Sequence, residues 1–182
     1  MKNLLFLLVT VLSLSCCSKD EKPINPIDQL PPATQTGANT AGCLVDGKAF
    51  LPKGYFPDGN LSCNYINGKD FINGKDFNIS IAQRNDNETL SMNVISYNKS
   101  LIVGETYQLK EYGADSKFGE YITVYNSIQE TRYSTNVTIT GELKITNHNF
   151  DKAILSGTFW FDAVNSKGQI VKIREGRFDM EY

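Results

Sequence analysis

From Ala41 to the end of the chain, apolar and polar side chains alternate with a period of two, and no stretch of eleven or more residues carries an apolar stripe at helical spacing. The clearest run is 137–145, where Val137, Ile139, Leu143 and Ile145 share one face and Thr138, Thr140, Glu142 and Lys144 the other. The same alternation joins Phe77, Ile79 and Ile81; Leu90, Met92 and Val94; Ile122 and Val124; and Leu155, Gly157, Phe159 and Phe161. Such runs predict strands buried on one face. Turn signals separate them at Asp46-Gly47, Asn67-Gly68, Asn73-Gly74, 84–87 and 165–168. The expected fold is all-β, an antiparallel sandwich or barrel of about eight to ten strands spanning 41–182.

The last strand contains a change of parity. Val171 and Ile173 are odd, whereas Phe178, Met180 and Tyr182 are even, so one extra residue must intervene, and Gly176 is the expected bulge because it tolerates positive φ. The C-terminal residue is then part of the core. The hexapeptide Ile66-Asn-Gly-Lys-Asp-Phe71 is repeated at once as 72–77. An even insertion in a hairpin keeps every later side chain on its original face and costs little closure entropy, so the duplication reads as a lengthened turn.

The N-terminus has a different pattern. Lys2 is followed by an apolar run, Leu4 to Leu14, and then by Ser15-Cys16-Cys17. As a helix the run would extend roughly 16 Å at ~1.5 Å per residue, against a hydrocarbon core of about 30 Å, so it reads as a cleaved signal of residues 1–16. Its ending resembles the lipobox of bacterial lipoproteins, in which the cysteine becomes the lipidated mature N-terminus. Cys17 has Leu14 three positions back, and Cys16 is the alternative. The acids and lysine of Cys17-Ser-Lys-Asp-Glu21 resemble the signal that sends lipoproteins of the Bacteroidota to the outer face of the outer membrane. The resemblance implies a palmitate-type anchor and an envelope location facing the cell exterior.

Residues 17–40 hold four of the six prolines and no aromatic residue, whereas the other aromatic residues of the mature chain all lie between Phe50 and Tyr182. That stretch reads as a flexible tether with a reach on the order of 25 Å. Losing Lys2 with the leader leaves 17 basic against 20 acidic residues, a mature net charge of −3. With no basic run, nucleic acid is not an expected partner.

Little in the domain carries named chemistry, and no metal site or cofactor is expected. Cys43 and Cys63, both on the apolar parity of their strands, can form a disulfide closing about 20 residues, contributing roughly 3 kcal/mol, or remain two buried free thiols. The single histidine, His148, lies in Asn147-His-Asn149 and reads as a solvated turn. Trp160 opposes Phe159 and Phe161, and Tyr121 and Tyr125 oppose Ile122 and Val124. Aromatic residues on a polar face are candidates for stacking on a sugar or a partner. The carboxylates Asp58, Asp86, Asp115, Asp162 and Glu175 are scattered, and 85–88 lacks the spacing of a calcium loop and reads as a turn.

The stretch Gly42-Cys-Leu-Val-Asp-Gly-Lys48 and the ending Glu175-Gly-Arg-Phe-Asp179 resemble an uncharacterised family of all-β lipoproteins of the Bacteroidota. The resemblance implies location and fold but no activity. The expected function is therefore a membrane-anchored, non-enzymatic β domain binding a glycan or an envelope protein. The alternatives are a carboxylate-dependent hydrolase of glycans or envelope polymers and a structural envelope component.

Overall fold

The computed structural model describes residues 25–57, 59–67, 75–98 and 100–182. After a 3-10 turn, Pro26–Gln29, come eleven strands: β1 (Thr40–Val45), β2 (Lys48–Phe50), β3 (Leu61–Asn67), β4 (Lys75–Arg84), β5 (Glu88–Ser96), β6 (Thr106–Leu109), β7 (Lys117–Tyr125), β8 (Gln129–Ser134), β9 (Gly141–Asn149), β10 (Ile154–Val164) and β11 (Ile170–Glu181). The all-β antiparallel expectation holds.

The strands form one open sheet in the order β2-β1-β11-β10-β8-β7-β5-β4-β3, with β9 paired to β10 and β6 to β9. Strand β10 is long enough to serve two neighbours along one edge: residues 154–161 pair with β9, and Val164 pairs with Ser134 of β8. The sheet closes over a single apolar core. Phe50 meets Tyr121 at 5.9 Å between ring centres, Phe77 meets Phe178 at 5.7 Å, and Tyr65 meets Tyr182 at 5.3 Å. Beyond β2, Lys53 bridges in parallel to Gln83 of β4, which brings the chain after one end of the strand order beside the strand next to the other end. Fully burying side chains such as Phe161, Leu155 and Ile145 contributes about 1.5–3 kcal/mol each.

The local signals act as expected at several turns. Asp46 and Gly47 both take positive φ, 47° and 79°, as the two-residue hairpin between β1 and β2 requires. Asn85 and Asn165 close the β4–β5 and β10–β11 turns by accepting backbone N–H bonds on their side-chain oxygens. The duplicated hexapeptide falls in the β3–β4 hairpin, where Asn67 pairs with Lys75, and residues 68–74 lie outside the described residues.

Three expectations are corrected. The run 137–145 becomes a strand only from Gly141, because Asn136 Oδ1 accepts the N–H groups of Thr138 and Ile139 and turns the chain, leaving Val137 exposed. In β11 the bulge lies at Arg174 and Glu175, which together face Trp160, and Glu175 rather than Gly176 takes positive φ, 54°. Gly176 serves another purpose: a Cβ there would come within 2.3 Å of the Phe159 ring. Third, the expected flexible stretch is docked from Asn25 onward, with Leu30 buried and Pro31 against Gly42.

The docking centres on Asp179, which is 1% exposed. Its carboxylate accepts bonds from the N–H groups of Thr36 (2.9 Å), Gly37 (2.9 Å) and Ala38 (3.2 Å), and from the hydroxyls of Thr34 (2.6 Å) and Ser156 (2.8 Å). Successive backbone N–H groups with Gly37 at φ 75° make a concave anion nest. Farther along, Glu181 N donates to Asn39 Oδ1 at 3.0 Å and Asn147 Nδ2 reaches Gln35 O at 3.5 Å, so residues 33–39 form a strap across β9 and β11.

Burial alone would raise the Asp179 carboxyl, but the donors from Thr34, Thr36, Gly37 and Ser156 outweigh it and hold the group well below the usual carboxylate range. A depressed folded value contributes stability above the unfolded pKa of about 3.9, and that stability is lost as pH falls toward the folded value. Replacing Asp179 with Asn should therefore cost about 2–4 kcal/mol at pH 7 in urea denaturation, with a shallower loss of stability between pH 4 and 2 than in the unsubstituted protein. Equal acid slopes in the two proteins would contradict this.

Candidate functional site

Four strands build the site on the outer face of the sheet. Cross-strand registers align Gln108, Glu142 and Trp160 in one row, ending at the Arg174–Glu175 bulge. A second row, two residues along each strand, aligns Thr106, Lys144, Thr158 and Arg177. Ala33 of the strap stands beside them, and the rows, apart from Gln108, line a groove of about 570 Å³. The bulge allows Arg174 and Glu175, neighbours in sequence, to contribute to the same surface.

The first row is held together by its own contacts. Glu142 accepts from Gln108 Nε2 at 3.0 Å and from Trp160 Nε1 at 3.2 Å. The Arg174 guanidinium lies 5.4 Å from the Trp160 ring centre, pairs with Asp162 at 2.5 Å, and donates to the carbonyls of Phe161 and Ile173. Cation–π contact, indole hydrogen bond and ion pair thus fix the orientation of an indole that remains 39% exposed. A rigid, half-exposed ring can bind without first losing rotamer entropy.

Of the three aromatic candidates, only Trp160 lines this groove. Tyr121 is corrected to the core: it opposes buried Met92, touches Phe50 and Tyr133, and burial, with smaller help from the Glu88 charge, pushes its hydroxyl up to about 12. The Leu90, Met92 and Val94 face of β5 sets the inward parity of β7, and this turns Ile122 and Val124 outward instead. Tyr125 is exposed at the end of β7, paired with Gln129 and Glu88 and outside the groove.

His148 is also corrected. It belongs to β9, where an extra residue between Ile145 and Asn147 reverses the parity and turns the ring inward. Its Nδ1 lies 3.1 Å from Leu101 O and its Nε2 3.2 Å from the Tyr182 hydroxyl, with Phe150 stacked at 4.0 Å. Burial lowers its pKa, against the opposing pull of the Leu101 carbonyl. It ties the C-terminal residue to the core.

The candidate carboxylates are spread over several elements. Asp58 lies outside the described residues; Asp86 is in the β4–β5 turn, and Asp115 in the connection from β6 to β7. Asp162 is committed to Arg174, and Glu175 faces Arg177 at 3.4 Å. Glu142, which sequence reading placed only on a polar face, does line the groove but is already engaged as an acceptor from Gln108 and Trp160. Among the described residues, no three His, Cys, Asp or Glu side chains gather as a metal site.

Cys43 and Cys63 are both buried and free, without the disulfide bond allowed from the sequence. Burial pushes the Cys63 thiol up to about 12 and raises Cys43 further still. Thiolate is the reactive form, so an aromatic disulfide reagent at pH 8 should modify both cysteines only once denaturant opens the domain. Rapid labelling of either in the folded protein would contradict this. The candidate lipid sites Cys16 and Cys17 lie outside the described residues.

The sequence model of one protein family, described as Domain of unknown function (DUF6252), matches residues 70–180. That span includes β4 to β10 and nearly all of β11, and hence the groove except Ala33. No curated protein and no solved structure matches the chain.

Proposed function

The chain belongs to the family described as Domain of unknown function (DUF6252), and from that premise we propose that it is a lipid-anchored envelope protein whose outer sheet face binds a glycan. The observation that carries the reading is the Trp160 platform: a half-exposed indole fixed by Glu142 and Arg174 within a groove rimmed by hydroxyl and charged groups. Sugars present an apolar C–H face and a fringe of hydroxyls. An indole with polar neighbours matches both.

The anchor part of the proposal rests on the leader and on Cys17. The docked strap changes its geometry. Seven residues lie between Cys17 and Asn25, where the docked stretch begins, and the eight steps between them at ~3.3–3.6 Å each span at most about 29 Å. A lipidated Cys17 would therefore hold the domain near the headgroups, with the 3-10 turn as the point of attachment.

Two measurements test the two parts separately. On an immobilised glycan array, Trp160→Ala should lose at least tenfold in binding while keeping its melting temperature, because the indole lies outside the core; undiminished binding would refute the site. Radiolabelled palmitate fed to the native host should enter the protein and disappear with Cys17→Ala but not with Cys16→Ala. An unlabelled protein would remove the anchor and leave the groove proposal standing.

A further inference from the structure

The two rows of the groove differ in how far their groups are already satisfied. In the first, Gln108, Glu142, Trp160 and Arg174 engage one another or Asp162. In the second, Thr106, Lys144, Thr158 and Arg177 bring two cations and two hydroxyls with no carboxylate of their own. Arg177 is turned toward Glu175, donating to its carbonyl at 3.1 Å and pairing with its carboxylate at 3.4 Å. Lys144 is exposed and, among the described residues, has no ion pair. It lies between two threonines, opposite Thr106 on one side and Thr158 on the other.

Resting on the glycan reading, we propose that the groove is selective for an anionic saccharide, with the acidic group of the sugar on Lys144 and its ring on Trp160. The two residues sit on adjacent strands and are offset by one row: Lys144 opposes Thr158, which is two residues before Trp160 on the same face of β10. With a rise of ~3.3–3.4 Å per residue, that offset is about 7 Å, the distance across one sugar ring and its carboxylate or sulfate. Thr106 and Thr158, the cross-strand partners of Lys144, supply hydroxyl donors for the oxyanion that an uncharged ligand would not need. Glu142 and Glu175 border the groove and disfavour an acid placed anywhere other than the Lys144 row. One orientation of the ligand is thereby selected.

The test is an array carrying matched neutral, uronic-acid and sulfated glycans, probed with the unsubstituted chain, Lys144→Gln and Trp160→Ala. Charged members should bind at least tenfold better than their neutral counterparts, the scale of one charge-assisted hydrogen bond. Lys144→Gln should remove that preference while retaining residual binding, and added salt should weaken the unsubstituted chain more than the variant. Lys144 is an exposed strand residue, so a circular-dichroism melt of the variant should be unchanged. Neutral glycans bound equally well, by a route that still needs Trp160, would overturn the charge selectivity and leave the glycan site intact. Absence of any Trp160-dependent binding would overturn both.

Discussion

A carboxylate removed from water without a cation beside it is costly unless its oxygens are fully hydrogen-bonded. Asp179 meets that condition only because the chain before β1 returns to it: the N–H groups of Thr36, Gly37 and Ala38 and the hydroxyl of Thr34 converge on it from one side and Ser156 from the other. The dependence is mutual. Residues 33–39 contain almost nothing that could be buried for its own sake, and without the anion the strap would have little reason to be ordered. With it, Ala33 reaches the groove and the first strand enters the sheet beside the last.

The same few residues at the end of the chain organise the outer face. Glu175 takes the positive φ of the bulge, Gly176 leaves room for Phe159, Arg177 joins the groove, Phe178 is buried against Phe77, and Asp179 holds the strap. A five-residue segment that alternates poorly thus performs five separate tasks. Because the extra residue lies opposite Trp160, the indole has Arg174 over its ring and an acid–base pair at its margin. Core packing and site construction meet at this bulge, so a substitution in 174–179 affects both.

Much of the fold was legible because half-buried strands leave a period-two trace, and Asp-Gly and Asn-led turns have local chemistry that needs no partner to specify it. The misreadings share a cause. Val137 was captured by an Asx turn at the start of the very run where the alternation looked strongest. His148 was reversed by an irregularity in β9, and Tyr121 was placed by the parity of its neighbour β5 rather than by its opposition to Ile122 and Val124. Alternation within one strand says which residues share a face. It does not say which face is inside when both carry bulky apolar groups, nor where an inserted residue switches them.

The groove follows the same logic. Trp160 could be singled out from the sequence because it opposes two phenylalanines, but Gln108, Glu142, Lys144 and Arg177 come from strands up to 69 positions apart and meet only through register. By itself, the sequence determined the strand class, the turns at Asp46-Gly47, Asn85 and Asn165, the parity break near the C-terminus and the presence of an outward tryptophan, since each depends on residues within a few positions of one another. Tertiary structure alone decided that Asp179 would order the strap, that His148 and Tyr121 would face inward, and that two polar rows would align beneath Trp160. Those outcomes depend on pairing between distant strands and on satisfying a buried charge, and neither leaves a periodic signal in the chain.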